Sequence, residues 1–174
     1  MTAQNRRDFL RSVKDHGLVI SALCGDLGKG FGDPAWNPQL IEQSKRILDL
    51  AMDLETNVVT THIGVVPTAK ENPRYAIMQD ACGKLAEYAD TLKAHFAIET
   101  GPELAVYTLK DYIVHTHAKD GRRLHHVEPE VLYGLEEAEM LGDASYIELP
   151  LGEGDVDFPN YLKALHEIGY QGFL

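Results

Sequence analysis

The sequence predicts an α/β fold in which a parallel sheet with helical crossovers forms an incomplete β/α barrel. Apolar runs rich in β-branched residues alternate with amphipathic helical stretches at a period of roughly 40 residues, the signature of parallel strands joined by helices. Each run leads into a loop of glycine, proline or ionisable residues, as the carboxyl edge of such a sheet needs if it is to carry a site. The chain has 174 residues, room for about five or six strand units, whereas a closed eightfold barrel takes about 250 residues. Residues 1–174 are therefore expected to form a single partial β/α-barrel domain.

In chain order, residues Asn5 to Asp15 place Phe9, Leu10 and Val13 on one helical face, and Gly17 ends that helix. Leu18 to Cys24 is predicted as a buried strand. The glycine-rich loop Gly25 to Pro34 lacks the terminal Gly-Lys-Ser/Thr of a phosphate-binding P-loop. Asn37 as N-cap and Pro38 in the first turn open a helix whose apolar residues are Ile41, Ile47, Leu48, Leu50, Ala51 and Leu54. A second strand, Val58 to Ile63, leads into Gly64 and Pro67. A long helix from Pro73 to Lys93 follows, with Ile77, Cys82, Leu85, Tyr88, Ala89 and Leu92 as its inner face, and then a third strand from Phe96 to Glu99.

The rhythm then breaks. Only Thr100 to Asp111 separate the third strand from a fourth, predicted over Tyr112 to His117. A parallel crossover needs a dozen or more residues, usually with a helix, and Glu103 to Lys110 offers about two turns at most. Arg122 to Gly142 is expected to hold a loop and a short helix, and Tyr146 to Leu149 a strand or extended segment. Asp157 caps a helix that runs to Ile168 and ends at Gly169, and Gly172 to Leu174 begins a further strand.

Composition narrows the function classes. A formal net charge of −11 and an isoelectric point near 5.1 argue against a partner that presents a phosphate backbone, so no nucleic acid is expected. Cys24 and Cys82 are too far apart for a zinc knuckle or a disulfide framework, which suits a reducing compartment. The first ten residues lack the apolar core of a signal peptide and no segment is long enough to span a bilayer, so the expectation is a cytoplasmic protein with no membrane partner.

Four strand ends carry polar residues: Asp26, His62, Glu99 and His117. Asp26 among glycines suits a turn as well as a site. His62 ends an otherwise apolar strand. Glu99 is costly to bury unless it is paired, protonated or metal-bound, with Lys119 or an arginine as the structural partner to consider. Glu99 and His117 make a mixed carboxylate–imidazole set of the type that holds Mn²⁺, Zn²⁺ or Co²⁺. Such an ion polarises a carbonyl or hydroxyl while a carboxylate removes the proton from the adjacent carbon. His115 shares the face of His117. His125 and His126 are adjacent, point apart and read as a solvated loop, whereas Phe31 and Trp36 either wall the site or pack the core. Lys29, Lys119, Arg122 and Arg123 are the cations available to a substrate phosphate.

Five short motifs occur in order: Ala22 to Gly28, Thr60 to Gly64, Ala97 to Glu103, His115 to Asp120 and Pro150 to Pro159. Together they resemble the sugar phosphate isomerase/epimerase family, whose fold is the xylose isomerase-like TIM barrel. The resemblance implies isomerisation or epimerisation of a small sugar or sugar phosphate by proton transfer through an enediolate, with a divalent metal (Mn, Zn, Co or Mg). It assigns Glu99 as metal ligand and base, His117 as metal ligand and His62 as the catalytic histidine on the substrate side. The family's ligand aspartate and its final glutamate find no counterpart, so the chain is expected to be a truncated or internally deleted barrel, or one incompletely represented. The related AP endonucleases share the Leu-Gly-Glu-Gly motif of Leu151 to Gly154 but precede it with Asp-x-His, where this chain has Tyr146-Ile147-Glu148. The alternative to an enzyme is a non-catalytic binding or assembly module, a homo-oligomer that covers exposed strand edges.

Overall fold

The computed structural model describes residues 1–67, 69–99, 109–127 and 144–174. The shortened crossover at Glu103 to Lys110 and the short helix expected within Arg122 to Gly142 fall mainly outside these residues. The chain forms two compact units, Met1–Glu99 and Thr100–Leu174. Among the described residues, no helix is long and apolar enough to cross a membrane.

The first unit runs α1 (Ala3–Asp15), β1 (Leu23–Cys24), α2 (Asn37–Asp53), β2 (Val58–Thr61), α3 (Pro73–Leu92) and β3 (His95–Ile98). The three strands form a parallel sheet in the order β1-β2-β3, as the alternation of strand and helix predicts. Helix α1 starts at the Thr2 cap, whose hydroxyl accepts the Asn5 N–H at 3.2 Å. It ends as expected at Gly17, where φ is +71° and the Leu18 N–H returns to the Val13 carbonyl at 3.1 Å. The first strand is much shorter than the sequence suggests. Leu18 and Val19 are 61% and 70% exposed, and only Leu23 and Cys24 find ladder partners, Val59 and Thr60 of β2. The strand predicted from Leu18 therefore shrinks to the two residues that meet a neighbour.

Helix α2 also opens differently from the capping rule. Trp36 occupies the cap position without a side-chain bond, and Asn37 is the first helical residue. The Asn37 amide is instead turned inward, donating to the Phe31 carbonyl at 3.0 Å and tying the glycine-rich loop to the helix. Helix α3 keeps nearly the predicted bounds, capped by Asn72 at its start and closed by Lys93 in the left-handed region. Its buried stripe is Met78, Ala81, Leu85 and Ala89. Ile77 and Cys82, predicted on the inner face, are only partly buried.

The core lies between these helices and one face of the sheet. Phe31, Leu40, Ile41, Ala81 and Leu85 form one cluster, and Leu48, Ala51, Val59, Ala89 and Ala94 a second. Phe96 packs against both and meets the Phe31 ring edge-on at 6.2 Å. Burying side chains such as Leu48 and Leu85, both fully inaccessible, contributes roughly 1.5–3 kcal/mol each.

The second unit contains a 3₁₀ turn (Lys110–Tyr112), β4 (Asp120–Arg123), β5 (Tyr146–Leu149) and α4 (Phe158–Glu167). β4 and β5 pair antiparallel, Asp120 opposite Leu149. The predicted fourth parallel strand does not form over Tyr112 to His117. Tyr112 ends the 3₁₀ turn at 80% exposure, and residues 113–119 have no ladder among the described residues. The apolar run instead packs through Ile113 against Ala164 and Leu165 of α4, so helix contact replaces sheet pairing. Helix α4 follows the prediction: the Asp157 carboxylate accepts the Asn160 N–H at 3.2 Å, and Gly169 at φ +73° ends it. No strand forms at Gly172 to Leu174. There the Phe173 carbonyl accepts the Thr116 hydroxyl at 3.0 Å and the Tyr170 hydroxyl at 2.7 Å, which uses a backbone acceptor that a ladder would need.

Candidate active site

The register of the sheet sets the site of the first unit. Phe96 packs on the helix-side core and Ile98 shares an apolar trough with Cys82 and Ala86 of α3. Side chains alternate along a strand, so Ala97 and Glu99 point to the opposite face. Thr61 pairs with Ile98 and the Glu99 N–H donates to the Thr61 carbonyl at 3.0 Å, which carries the ladder one residue beyond the strands and brings His62 level with Glu99. Their side chains meet, His62 Nε2 lying 3.4 Å from Glu99 Oε2. The Glu99 side chain is 25% exposed and that of His62 53%. A sheltered carboxylate with an accessible imidazole beside it can take a proton from a ligand and pass it on.

Two loops at this edge are closed against each other. The Phe31 N–H donates to the Ile63 carbonyl at 2.9 Å. Gly30 packs on the backbone of Ile63 and Gly64 so closely that a Cβ would stand 2.5 Å from the Ile63 oxygen. His62 precedes this clasp directly, so its backbone is held on both sides, by the sheet and by the loop pair. Asp26 makes a turn, its carboxylate accepting the Gly28 N–H at 2.8 Å. Phe31 is a core residue, whereas Trp36 is half exposed with the Lys29 ammonium 3.5 Å above its ring. A cleft of about 600 Å³ between α2 and α3, lined by Pro38, Ile41, Lys45 and Lys84 among others, includes neither His62 nor Glu99.

In the second unit His115 and His117 stand side by side, ring centroids 5.0 Å apart and planes perpendicular. Two residues apart, they meet ring to ring although no ladder holds the segment among the described residues. His125 and His126 lie on an exposed loop, as expected. Arg122 is engaged by the Asp155 carboxylate at 3.3 Å and the Glu153 carbonyl at 3.2 Å.

Asp120 is the residue whose role the sequence did not disclose. It is 4% exposed and accepts four backbone N–H groups: Gly121 and Gly152 at 2.8 Å, Gly154 at 2.9 Å and Val156 at 3.2 Å. Burial alone pushes its carboxyl up, but the donors from Gly154, Val156, Gly152 and Gly121 outweigh burial and hold it below the usual aspartate value. The carboxylate thus shapes the Leu151 to Val156 loop from within. A side chain at Gly154 would overlap the Asp120 carboxylate.

The donor types suit a divalent metal, since Glu99 supplies a carboxylate and His62 an imidazole. Among the described residues, no group of three or more His, Cys, Asp or Glu gathers to hold one. Catalytic metal sites ordinarily use three protein ligands, so the described residues supply part of such a set. Glu99 belongs to the first unit and His117 to the second.

No curated protein matches the chain in sequence. Among solved structures, a xylose isomerase domain protein from Planctomyces limnophilus superposes with a TM-score of 0.78 at 20% identity, over 98% of this chain and 75% of that one. The 3-keto-D-glucoside 4-epimerase of E. coli superposes with a TM-score of 0.55 at 14% identity, over 98% and 76%. At these identities the likeness is one of fold. The family model of the xylose isomerase-like TIM barrel matches residues 1–111. With its parallel strands, helical crossovers and polar strand ends, the chain belongs to the xylose isomerase-like TIM barrel family.

Proposed function

We propose that this protein is a sugar or sugar-phosphate isomerase or epimerase that moves a proton between adjacent carbons through an enediolate. The observation that carries the reading is the His62–Glu99 pair at the carboxyl ends of neighbouring parallel strands, 3.4 Å apart, where the fold builds its sites. Membership of the family supports it, as do structural relatives whose names include xylose isomerase and a sugar epimerase.

In this reading Glu99 is the base. Its carboxylate takes the proton from the carbon beside the substrate carbonyl. The C–H electron pair forms the C=C bond of the enediolate, and the former carbonyl oxygen carries the negative charge, faced by a hydrogen bond from His62. For the isomer, His62 carries the proton of the adjacent hydroxyl to that oxygen while Glu99 returns its proton to the neighbouring carbon. For the epimer, a donor on the opposite face, such as water, gives a proton to the original carbon and the oxyanion collapses back to the carbonyl. Glu99 and His117 are proposed as ligands of a divalent metal (Mn, Zn, Co or Mg) on the order of the motifs in the chain. When bound, such an ion supplies polarisation of the substrate oxygen. General acid–base groups contribute roughly 10²–10⁴-fold each. Glu99→Gln should therefore slow deuterium uptake from D₂O into a turned-over ketose or aldose by roughly 10²–10⁴-fold. Full uptake in that variant removes Glu99 from the chemistry, and an unaltered panel of sugars and sugar phosphates with every metal rejects the reading.

A second reading, a binding or assembly module, draws on the outer side of β3. Among the described residues β3 has β2 as its one ladder neighbour, and Ile98 beside it is 40% exposed. Light scattering that returns a stable monomer would count against it.

A further inference from the structure

Most cations of the first unit are committed. Arg6 pairs with Asp53, Lys14 with Glu55 at 2.6 Å, Lys45 with Glu42 at 2.9 Å and Lys84 with Asp80 at 2.6 Å, while Lys29 lies over Trp36. Arg74 differs. Among the described residues no carboxylate stands within ion-pair distance of it, although acidic residues outnumber Lys and Arg 27 to 16. It is nevertheless partly buried. A sheltered cation without an anion loses hydration and lacks the attraction of a counter-charge, so the missing partner calls for a cause.

The seat of Arg74 is built. Its Nε donates to the Val65 carbonyl at 3.3 Å, and the Asn72 side chain accepts its backbone N–H at 3.0 Å. The guanidinium lies flat against Gly32, where any side chain would overlap it, and one terminal nitrogen would stand 3.4 Å from a Cβ at Gly64. Gly32 thus makes room for the arginine, and Gly64 borders it at ordinary contact distance. Its Nε bond fixes the plane of the fork, and the terminal nitrogens make no hydrogen bond within the described residues. A fixed guanidinium edge with open donors matches a pair of oxygens on a phosphate or carboxylate. Arg74 sits in the first turn of α3, immediately after the β2 loop, and therefore at the sheet edge that carries His62.

We infer that Arg74 recognises an anionic oxygen pair on the substrate, so that this site takes a phosphorylated sugar or a sugar acid in preference to a neutral sugar. The anion contact stands on Arg74 and its seat; the sugar part of the ligand rests on the isomerase/epimerase reading above. A single arginine at a helix start has no motif around it in the sequence. Of Lys29, Lys119, Arg122 and Arg123, Arg122 and Lys29 are engaged elsewhere.

The test titrates the full-length chain with inorganic phosphate, fructose 6-phosphate, glucuronate and fructose, by calorimetry and by ¹H–¹⁵N NMR. Charged ligands should bind at least tenfold tighter than fructose, and phosphate should shift the Arg74 side-chain signal with the Gly32 and Gly64 amides. Arg74→Gln should erase the preference, and Arg74→Lys should keep part of it. Fructose 6-phosphate ahead of glucuronate identifies a phosphate as the natural anion, and the reverse order a carboxylate. The inference is overturned if Arg74→Gln retains the charged-over-neutral preference, if phosphate leaves those signals unmoved, or if the wild type shows no preference. Anion binding at Arg74 without deuterium uptake into any sugar would sink the isomerase reading alone. Uptake with a preference insensitive to Arg74 would sink the anion contact alone.

Discussion

Gly30→Ala isolates the clasp between the two loops that flank His62. Gly30 has no positive φ, so alanine suits its backbone and the added methyl acts only through contact. The new Cβ would stand 2.5 Å from the Ile63 carbonyl oxygen, 2.7 Å from Gly64 Cα and 2.9 Å from Gly64 N. All three atoms are backbone, so no rotamer change relieves the overlap. Ordinary contact begins near 3.4 Å, which means one loop must retreat by about 0.9 Å. That retreat stretches the Phe31 N–H bond to the Ile63 carbonyl, now 2.9 Å, beyond useful length. Overpacking costs roughly 1–3 kcal/mol and the lost hydrogen bond about 1 kcal/mol, together about 2–4 kcal/mol. Gly28→Ala is the matched control: nothing lies within 4 Å of its Cβ, but φ is +69°, so it carries backbone strain of about 1 kcal/mol without a clash. Urea unfolding followed by fluorescence of Trp36, the single tryptophan, reads both. A Gly30→Ala midpoint equal to the wild type, or a Gly28→Ala effect larger than that of Gly30→Ala, would refute the clasp.

Other expectations follow from the same geometry. The folded Asp120 carboxyl titrates below its unfolded value, so the unfolded chain takes up the proton first as pH falls; its stabilisation is complete above about pH 4 and is lost below that. Protection factors of the Gly152, Gly154 and Val156 amides, corrected for the intrinsic pH dependence of exchange, should fall on acidification through that range, and Asp120→Asn, which turns an NH₂ towards backbone donors, should show the reduced protection already at neutral pH. Leu85→Ala empties a fully buried position between Phe31, Ile41 and Ala81 and should cost about 2–5 kcal/mol in urea unfolding. Lys93→Gly relieves a left-handed residue at φ 55° and should raise the unfolding midpoint by the equivalent of about 1 kcal/mol; a loss of stability would show that Lys93 makes a contact worth more than its strain.

What could be read from the chain follows from which interactions are local. Helix α3 keeps nearly its predicted bounds because Asn72, Pro73 and the turn at Lys93 act within a few residues. Its inner face was misassigned because α3 is apolar over more than one stripe. Ala81 was chosen over Cys82 by Phe31 and Leu40, which approach from elsewhere in the chain. The first strand was overdrawn for a related reason: Leu18 to Ala22 has strand composition, but composition supplies no neighbour to bond. His62 and Glu99 could each be found, since both close apolar runs. That they meet depends on the β2–β3 register, and a slip of one residue would send them to opposite faces. Asp120 shows the limit most clearly. It looked like one letter of a short motif, and its four N–H donors come from Gly121 beside it and from Gly152, Gly154 and Val156 more than thirty residues away. Gly154 has no side chain where the Asp120 carboxylate fills the space, and Gly152 turns at φ +89°, so the Leu-Gly-Glu-Gly segment and Asp120 are two halves of one feature. Asp120 commits its carboxylate to loop backbone, whereas Glu99 has the His62 imidazole for a neighbour, and that difference in surroundings is the reason the proposed chemistry is given to Glu99.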